Sequence, residues 1–325
     1  MGPKMKEMKR FGKIAIWSLC FATLTLSCTK VEQSESVQSQ ISYNVVQYTQ
    51  TKAAGRYPTT EKFISSAFYL ENGKTWAANH SEAIAYIENA TISFNGTNWY
   101  DADHAYYWPR AGKLTFFSYS PQAIKGSTKI DRNSGITITD WDVHSHQNVD
   151  IMIADVQTDQ TANQNVGTYT VVPTIFRHAL SKISGFTFNL HKDYANGHSS
   201  GSYNNGDVVF ILKSIVIKNM PQKGTYSNTM PSESNIGAWN KAADGVYSYT
   251  WYSSEPGSDG TTIPYSESTP LAIPANGLSP YSELYLLPQL YLADGGPSLE
   301  ITYTKRTYGE NGSYTNSPIT ASVSF

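Results

Sequence analysis

Residues 109–121, PRAGKLTFFSYSP, decide how this chain reads. Pro109-Arg110-Ala111-Gly112 is a turn signal, because proline presets one backbone angle and glycine admits a positive φ. Lys113–Tyr119 then runs as a short apolar and aromatic segment, the mark of a well-buried strand, and Pro121 ends it. The same unit recurs on both sides. Ile41–Tyr48, Phe63–Tyr69 and Ala90–Asn95 precede it; Gly135–Thr139, Val149–Ala154 and Tyr169–Thr174 follow, with Glu71-Asn72-Gly73, Asn95-Gly96 and Asn133-Ser134-Gly135 as punctuation. A second series holds Ile183–Leu190, Val208–Lys218, Val246–Tyr252, Leu271–Ile273, Glu283–Pro288, Ser298–Tyr303 and Ile319–Phe325. Only Ser81–Glu88 reads as helical, for one turn or two. Many short strands at turn-punctuated spacing predict an all-β chain of packed sheets rather than helices alternating with a parallel sheet.

Composition agrees. Tyr is abundant at 23 residues and charged residues make up only 15%, which suits twisted sheets better than helical surfaces. The polar stretch Asn196–Gly206 reads as a loop. The domain boundary is expected near residues 173–180, giving an N-terminal sandwich over 41–175 and a C-terminal one over 176–325. No repeat of solenoid or propeller period is found.

The first 28 residues bear on location. Lys4, Lys6, Lys9, Arg10 and Lys13 precede a short apolar run from Ile14 to Leu26, too short to span a bilayer comfortably. Leu26-Ser27-Cys28 then resembles a bacterial lipobox, which implies cleavage between Ser27 and Cys28 and lipidation of Cys28. Residues 1–27 are therefore read as a lipoprotein signal peptide and 28–40 as a flexible polar tether. Cys20 is the one other cysteine and lies in the removed segment, so no disulfide is expected and the hydrophobic core must hold the exported chain. Residues 28–325 carry 19 Lys+Arg against 25 Asp+Glu, a net charge of −6. That mildly acidic balance has no basic stripe and sets nucleic-acid binding aside.

Motifs that carry chemistry are thin. There is no G-x-S-x-G, H-E-x-x-H, P-loop or dinucleotide fingerprint. Asp140, Asp142, His144 and His146, with Asp150 beyond, are the best metal candidates, since alternate residues of a strand share a side. The plainer reading is a polar loop before Val149–Ala154, so no metal and no cofactor are expected. No spacing singles out a carboxylate pair for glycoside hydrolysis. The aromatic run Trp99–Pro109 would suit stacking on sugars or filling a core, and the core reading is preferred for Tyr106–Trp108, as for Trp239, Trp251 and Tyr252.

Five pieces in order resemble the fimbrillin family of type V pilus lipoproteins of the Bacteroidetes. They are the lipobox; Ala105–Pro109 followed by Leu114–Pro121; Val149–Ala154; Phe176-Arg-His178-Ala-Leu-Ser-Lys182-Ile183; and Leu286–Gln289 followed by Leu299–Tyr303. The resemblance implies two tandem transthyretin-like β-sandwiches, a structural or adhesive role without catalysis, and other fimbrial subunits as partners. It also implies the outer membrane, reached through the lipid, and a host or bacterial surface ligand. In polymerising members a protease cuts after a basic residue behind the first strand. Here that loop, Thr49–Lys62, offers Lys52, Arg56 and Lys62, and Arg56 beside Gly55 is the candidate. The departing strand would take Ile41, Tyr43 and Val45, one face of a pleat, out of an apolar groove that another subunit's strand can refill. Two readings stay open: a polymerising subunit, or an anchor that keeps its lipid with Arg56 a plain surface residue. A non-polymerising glycan-binding lipoprotein is the alternative from a different class, and a surface hydrolase a remoter one. Many members continue past the last strand into a Trp…Gly-Lys…Tyr segment, which the sequence after Ile319–Phe325 does not show. Either the product is truncated or the C-terminal domain ends one strand short, and the resemblance therefore carries no donor-strand role over to the C-terminus.

Overall fold

The computed structural model describes residues 39–48, 54–162, 171–190, 203–242, 245–264, 270–273, 280–288 and 296–324. Cys28, Ser27, Lys52 and most of the 28–40 tether fall outside them, as does the greater part of Asn196–Gly206.

Over half of the chain is strand. The first half contributes β1 (Ser42–Tyr48), β2 (Ala54–Gly55), β3 (Phe63–Leu70), β4 (Ile84–Phe94), β5 (Trp99–Asp101), β6 (Lys113–Ser120), β7 (Thr128–Asp131), β8 (Gly135–Asp142), β9 (Met152–Ala154), β10 (Gln157–Gln160) and β11 (Val171–His178). The second contributes β12 (Ser181–Ile183), β13 (Phe186–Phe188), β14 (Val208–Pro221), β15 (Lys223–Asn228), β16 (Ala238–Lys241), β17 (Val246–Ser253), β18 (Thr261–Thr262), β19 (Leu271–Ile273), β20 (Leu284–Leu286), β21 (Ser298–Tyr308) and β22 (Tyr314–Ser324).

The opening stretch shows why these residues form these elements. At Gly112 the backbone has φ +84°, its N–H reaches Asn72 Oδ1 (2.8 Å), and a Cβ there would lie 2.4 Å from Leu70 O. Only glycine fits that turn. β6 then sends Leu114 and Phe116 to one core and Phe117 and Tyr119 to another, so it is buried on both faces and reads as a nearly continuous apolar run.

The ladders around β6 close on themselves. β6 pairs β3, β3 pairs β4, β4 pairs β5, β5 pairs β1, β1 pairs β11, β11 pairs β9, and β9 returns to β6 through Tyr119↔Ile153. The two faces expected of an N-terminal sandwich are thus joined into one ring, because β9 serves both. Closure removes the open edges that a small sheet would otherwise expose. Inside lie Ile41, Tyr43, Tyr57, Phe63, Trp99, Trp108, Phe116 and Phe176. The expected core role fits Trp108, which is 2% exposed, but Tyr107 points outward at 43%.

A four-stranded sheet, β16-β15-β8-β7, covers the outer face of β3 and β6, with Ile136, Ile138, Trp141 and Tyr226 facing Ile64, Phe117 and Tyr119. A third core gathers Leu212, Ile215, Ile217, Tyr249, Trp251 and Leu284 under the sheet β17-β14-β21-β22.

One expectation shifts. Ser81–Glu88 is helical only at its start: the helix α1 is a single turn at Trp76–Asn79, a 3₁₀ turn follows at His80–Glu82, and β4 begins at Ile84, with Ala90 and Ile92 alternating into the ring and a bulge bringing Ile87 to the same core. β11 runs across residues 175 and 176, and its Phe176 side chain belongs to the first core. Two strands from either side of those residues also share the sheet β16-β15-β8-β7, and residues 39–325 make one compact unit.

Candidate assembly site

β1 is the first described strand, and it is a middle strand of the ring. It runs parallel to β11 from Ser42↔Val171 to Gln47↔Phe176, and antiparallel to β5 at Tyr43↔Trp99. Its approach is paired too: Ile41 N donates to Tyr106 O (2.8 Å), and Trp108 N donates to Ser39 O (3.0 Å). Ile41 and Tyr43 are 3% and 4% exposed, and Val45 packs half-buried on the same core. The alternation of Ile41, Tyr43 and Val45 therefore aims one face inward as the sequence predicts. The Tyr43 ring meets Phe63 and Phe116 edge-on at 5.5 and 6.1 Å, and burial raises its phenol well above the ordinary value.

The far end of β1 is tied down by polar contacts. Gln47 Nε2 donates to His178 Nε2 (3.2 Å), while His178 Nδ1 donates to Asp150 Oδ1 (2.9 Å). The Arg177 guanidinium lies 4.8 Å from the Tyr48 ring centroid and grips Asp155 through two bonds of 2.7 and 2.9 Å. That carboxylate holds the Arg177 pKa above its usual level. Beyond Tyr48 opens a cleft of about 520 Å³ bordered by Arg177, Leu180, Tyr226, Trp239 and Lys241. Its polar groups are already engaged: Trp239 Nε1 donates to Ala179 O (2.6 Å) and Tyr226 OH to Ile236 O (2.8 Å). A ligand would find an apolar recess with few unspent partners.

Arg56 directly follows β2, which pairs back on β1 at Gln47↔Gly55 and Tyr48↔Ala54. The Arg56 side chain is exposed. Tyr57, the next residue, is 1% exposed and was not singled out from the sequence. Nothing in a lone Tyr before Pro58 signals that it fills the ring.

At the other terminus, β22 pairs β21 over its whole length, from Ser298↔Ser324 to Tyr308↔Tyr314, and no other described strand pairs its second edge. Ile319, Ala321 and Val323 alternate with Thr320 and Ser322, yet Val323 is 60% exposed. Ile319 is half-buried, so this apolar face is bare at Ala321 and Val323.

The metal candidates are drawn apart. The His144 ring stacks on Tyr247 at 3.6 Å and the His146 ring on Trp141 at 4.2 Å. Asp142 accepts from Ser145 N and Gln222 Nε2, and Asp150 is spent on His178. Among the described residues no three His, Cys, Asp or Glu side chains converge as a metal site would require.

A family model described as fimbrillin-like matches residues 32–322. The chain belongs to the fimbrillin-like family. No curated protein matches it. Among solved structures, the fold of this fimbrillin-like chain is similar to that of a fimbrial protein from Bacteroides vulgatus ATCC 8482, with a TM-score of 0.59 and 16% identity over 88% of this chain and 89% of that one. At that identity the likeness concerns the fold.

Proposed function

We propose that this protein is a structural, non-catalytic subunit of a bacterial surface fimbrium, built as two tandem transthyretin-like sandwiches and assembled by strand exchange. It is exported as a lipoprotein through Cys28, reaches the outer-membrane surface, and loses β1 after cleavage behind Arg56. The observation that carries this reading is β1 itself: an N-terminal strand with Ile41 and Tyr43 sealed in the core, followed within one short hairpin by an exposed arginine. Its withdrawal would leave β11 and β5 unpaired along one edge and open a few hundred Å² of apolar groove, on the order of several kcal/mol at about 25 cal/mol per Å². β22, with Ile319 half-buried and Ala321 and Val323 exposed, has the alternation such a groove accepts.

An anchor role has its own support in the contacts that retain β1, from the six-residue pairing with β11 to the grips of His178 and Arg177. Digestion of the full chain with a trypsin-type protease separates the two. A polymerising subunit loses β1 and forms oligomers by size exclusion, which an Arg56→Ala variant does not. A peptide of residues 40–48 should rebind the cut protein and return it to monomer, whereas the same residues in reversed order should not, since β1 must run parallel to β11. Cutting after Arg56 with no change in size or melting curve would refute strand exchange and leave the anchor. Lipidation is read separately: a clickable fatty acid should label the wild type and not Cys28→Ala.

A further inference from the structure

We infer that Tyr57 is a latch that shields the Arg56–Tyr57 bond and makes processing conditional on local opening of the ring, an inference that rests on the proposed cleavage behind Arg56. A protease that cuts after arginine must draw residues on both sides of the bond into its cleft as an extended strand. Here both sides are held. Upstream, Ala54 and Gly55 are paired to Tyr48 and Gln47. Downstream, the Tyr57 ring is 1% exposed, stacks on Phe176 at 5.0 Å and 27°, and meets Trp99 at 5.3 Å and Phe63 at 6.1 Å. Its hydroxyl is 2.7 Å from Ser120 Oγ, itself 1% exposed. Glu61 N donates to Pro58 O (3.1 Å), closing the turn that points the ring inward. The arginine side chain that would attract the enzyme is thus displayed, while the bond beside it is fixed by a residue in the core.

The partners of that ring explain how the bond is released. Phe176 sits opposite Gln47 in the β1–β11 register, and Trp99 sits opposite Tyr43 in the β1–β5 pairing. Tyr43 of β1 and Tyr57 also meet one ring, Phe63, at 5.5 and 6.1 Å, so loosening of either frees the other. Cleavage is confined to the open population, so its rate follows that population when opening and closing are fast. After the cut Tyr57 remains joined to β3, and its ring keeps the new amino terminus at the groove.

The test is limited trypsin digestion of the full chain, with each cut identified by mass and N-terminal sequencing. Arg110–Ala111, where both residues are exposed, serves as the internal reference. In the wild type Arg110–Ala111 should be cut well before Arg56–Tyr57. Tyr57→Ala should raise cutting at 56–57 by tenfold or more relative to the reference. Tyr57→Phe, which keeps the ring and loses only the Ser120 bond, should raise it about fivefold, the effect of one buried hydrogen bond on the open population. Leu284→Ala destabilises the third core without touching Tyr57, and should leave the ratio unchanged. Equal rates at 56–57 in wild type and both Tyr57 variants would overturn the latch, as would a rise in Leu284→Ala matching that of Tyr57→Ala. Failure of the cut product to release β1 would instead count against strand exchange, because it is read after cleavage and not from its rate.

Discussion

Replacing Tyr43 with alanine probes whether β1 is part of the folded ring or merely lies beside it. Tyr43 is 4% exposed and stands edge-on to Phe63 and Phe116. Truncating a buried aromatic to alanine costs about 3–5 kcal/mol, and each edge-to-face pair is worth about 0.5–1.5 kcal/mol beyond area. The tyrosine hydroxyl is itself buried at some cost, which places the expected loss near the lower end, about 3–4 kcal/mol. At roughly 2–4 °C per kcal/mol for a chain of this size, the melting temperature of the uncut protein should fall by roughly 6–16 °C. Asn44→Ala, on the exposed face of the same strand, should move it by less than about 0.5 kcal/mol. Scanning calorimetry before and after digestion supplies the decisive contrast. Once β1 has left, the Tyr43→Ala and wild-type chains are identical, and their curves should coincide. A loss under about 1 kcal/mol in the uncut protein would show that β1 does not seal the ring. A difference that survives release of β1 would show that the strand had not left.

Burial holds the phenols of Tyr57 and Tyr226 neutral, with pKa values pushed up to about 12 from 10.0. The folded state thus keeps its proton where the unfolded chain loses it. That contribution is complete below pH 10 and is lost as pH rises from 10 toward 12. Urea midpoints should fall over that window and fall less steeply in Tyr226→Phe; a flat profile would refute the assignment. Gly112→Ala should cost about 2 kcal/mol or more, given φ +84° and the 2.4 Å approach to Leu70 O, and a neutral effect on the urea midpoint would contradict the turn geometry. Chelation with EDTA should leave the melting temperature unchanged, because His144 and His146 are stacked on Tyr247 and Trp141 rather than gathered with carboxylates; a shift of several degrees reversed by zinc or calcium would overturn that.

Much of the strand pattern was legible because it is local. Phe63–Tyr69, Lys113–Tyr119 and Leu271–Ile273 sit within a residue of their observed ends, each set by a turn residue or proline that acts on its immediate neighbours. β15 and β16 were not read. They are short, polar on their outer face, and form only because β8 offers Lys223–Asn228 a partner some 80 positions earlier in the chain. The helical reading of Ser81–Glu88 ran too far for a related reason: Ala83, Ile84 and Ile87 fit a helix face, Ala83, Ala85 and Ile87 a strand face, and pairing with β3 decides between them.

The candidate site turns on the same distinction between pattern and partner. Ile41-x-Tyr43-x-Val45 and Ile319-x-Ala321-x-Val323 are alike as sequence, each an alternating apolar face that promises burial. One is sealed and the other only partly covered. What separates them is β11, which reaches β1 from more than a hundred residues away and runs parallel to it, a pairing that no hairpin signal announces. β22 has β21 for its backbone and for Tyr314, Asn316 and Thr320, while Ala321 and Val323 stand exposed. On the proposed strand exchange, β1 is the strand that leaves and a second copy is the source of its replacement. Within a single copy β22 is committed along its length to the antiparallel ladder with β21, while the β1 track demands a strand parallel to β11. The track left by β1 lies between β11 and β5 and calls for a strand free on both edges and parallel to β11, which a neighbour's β22 could supply only by leaving β21.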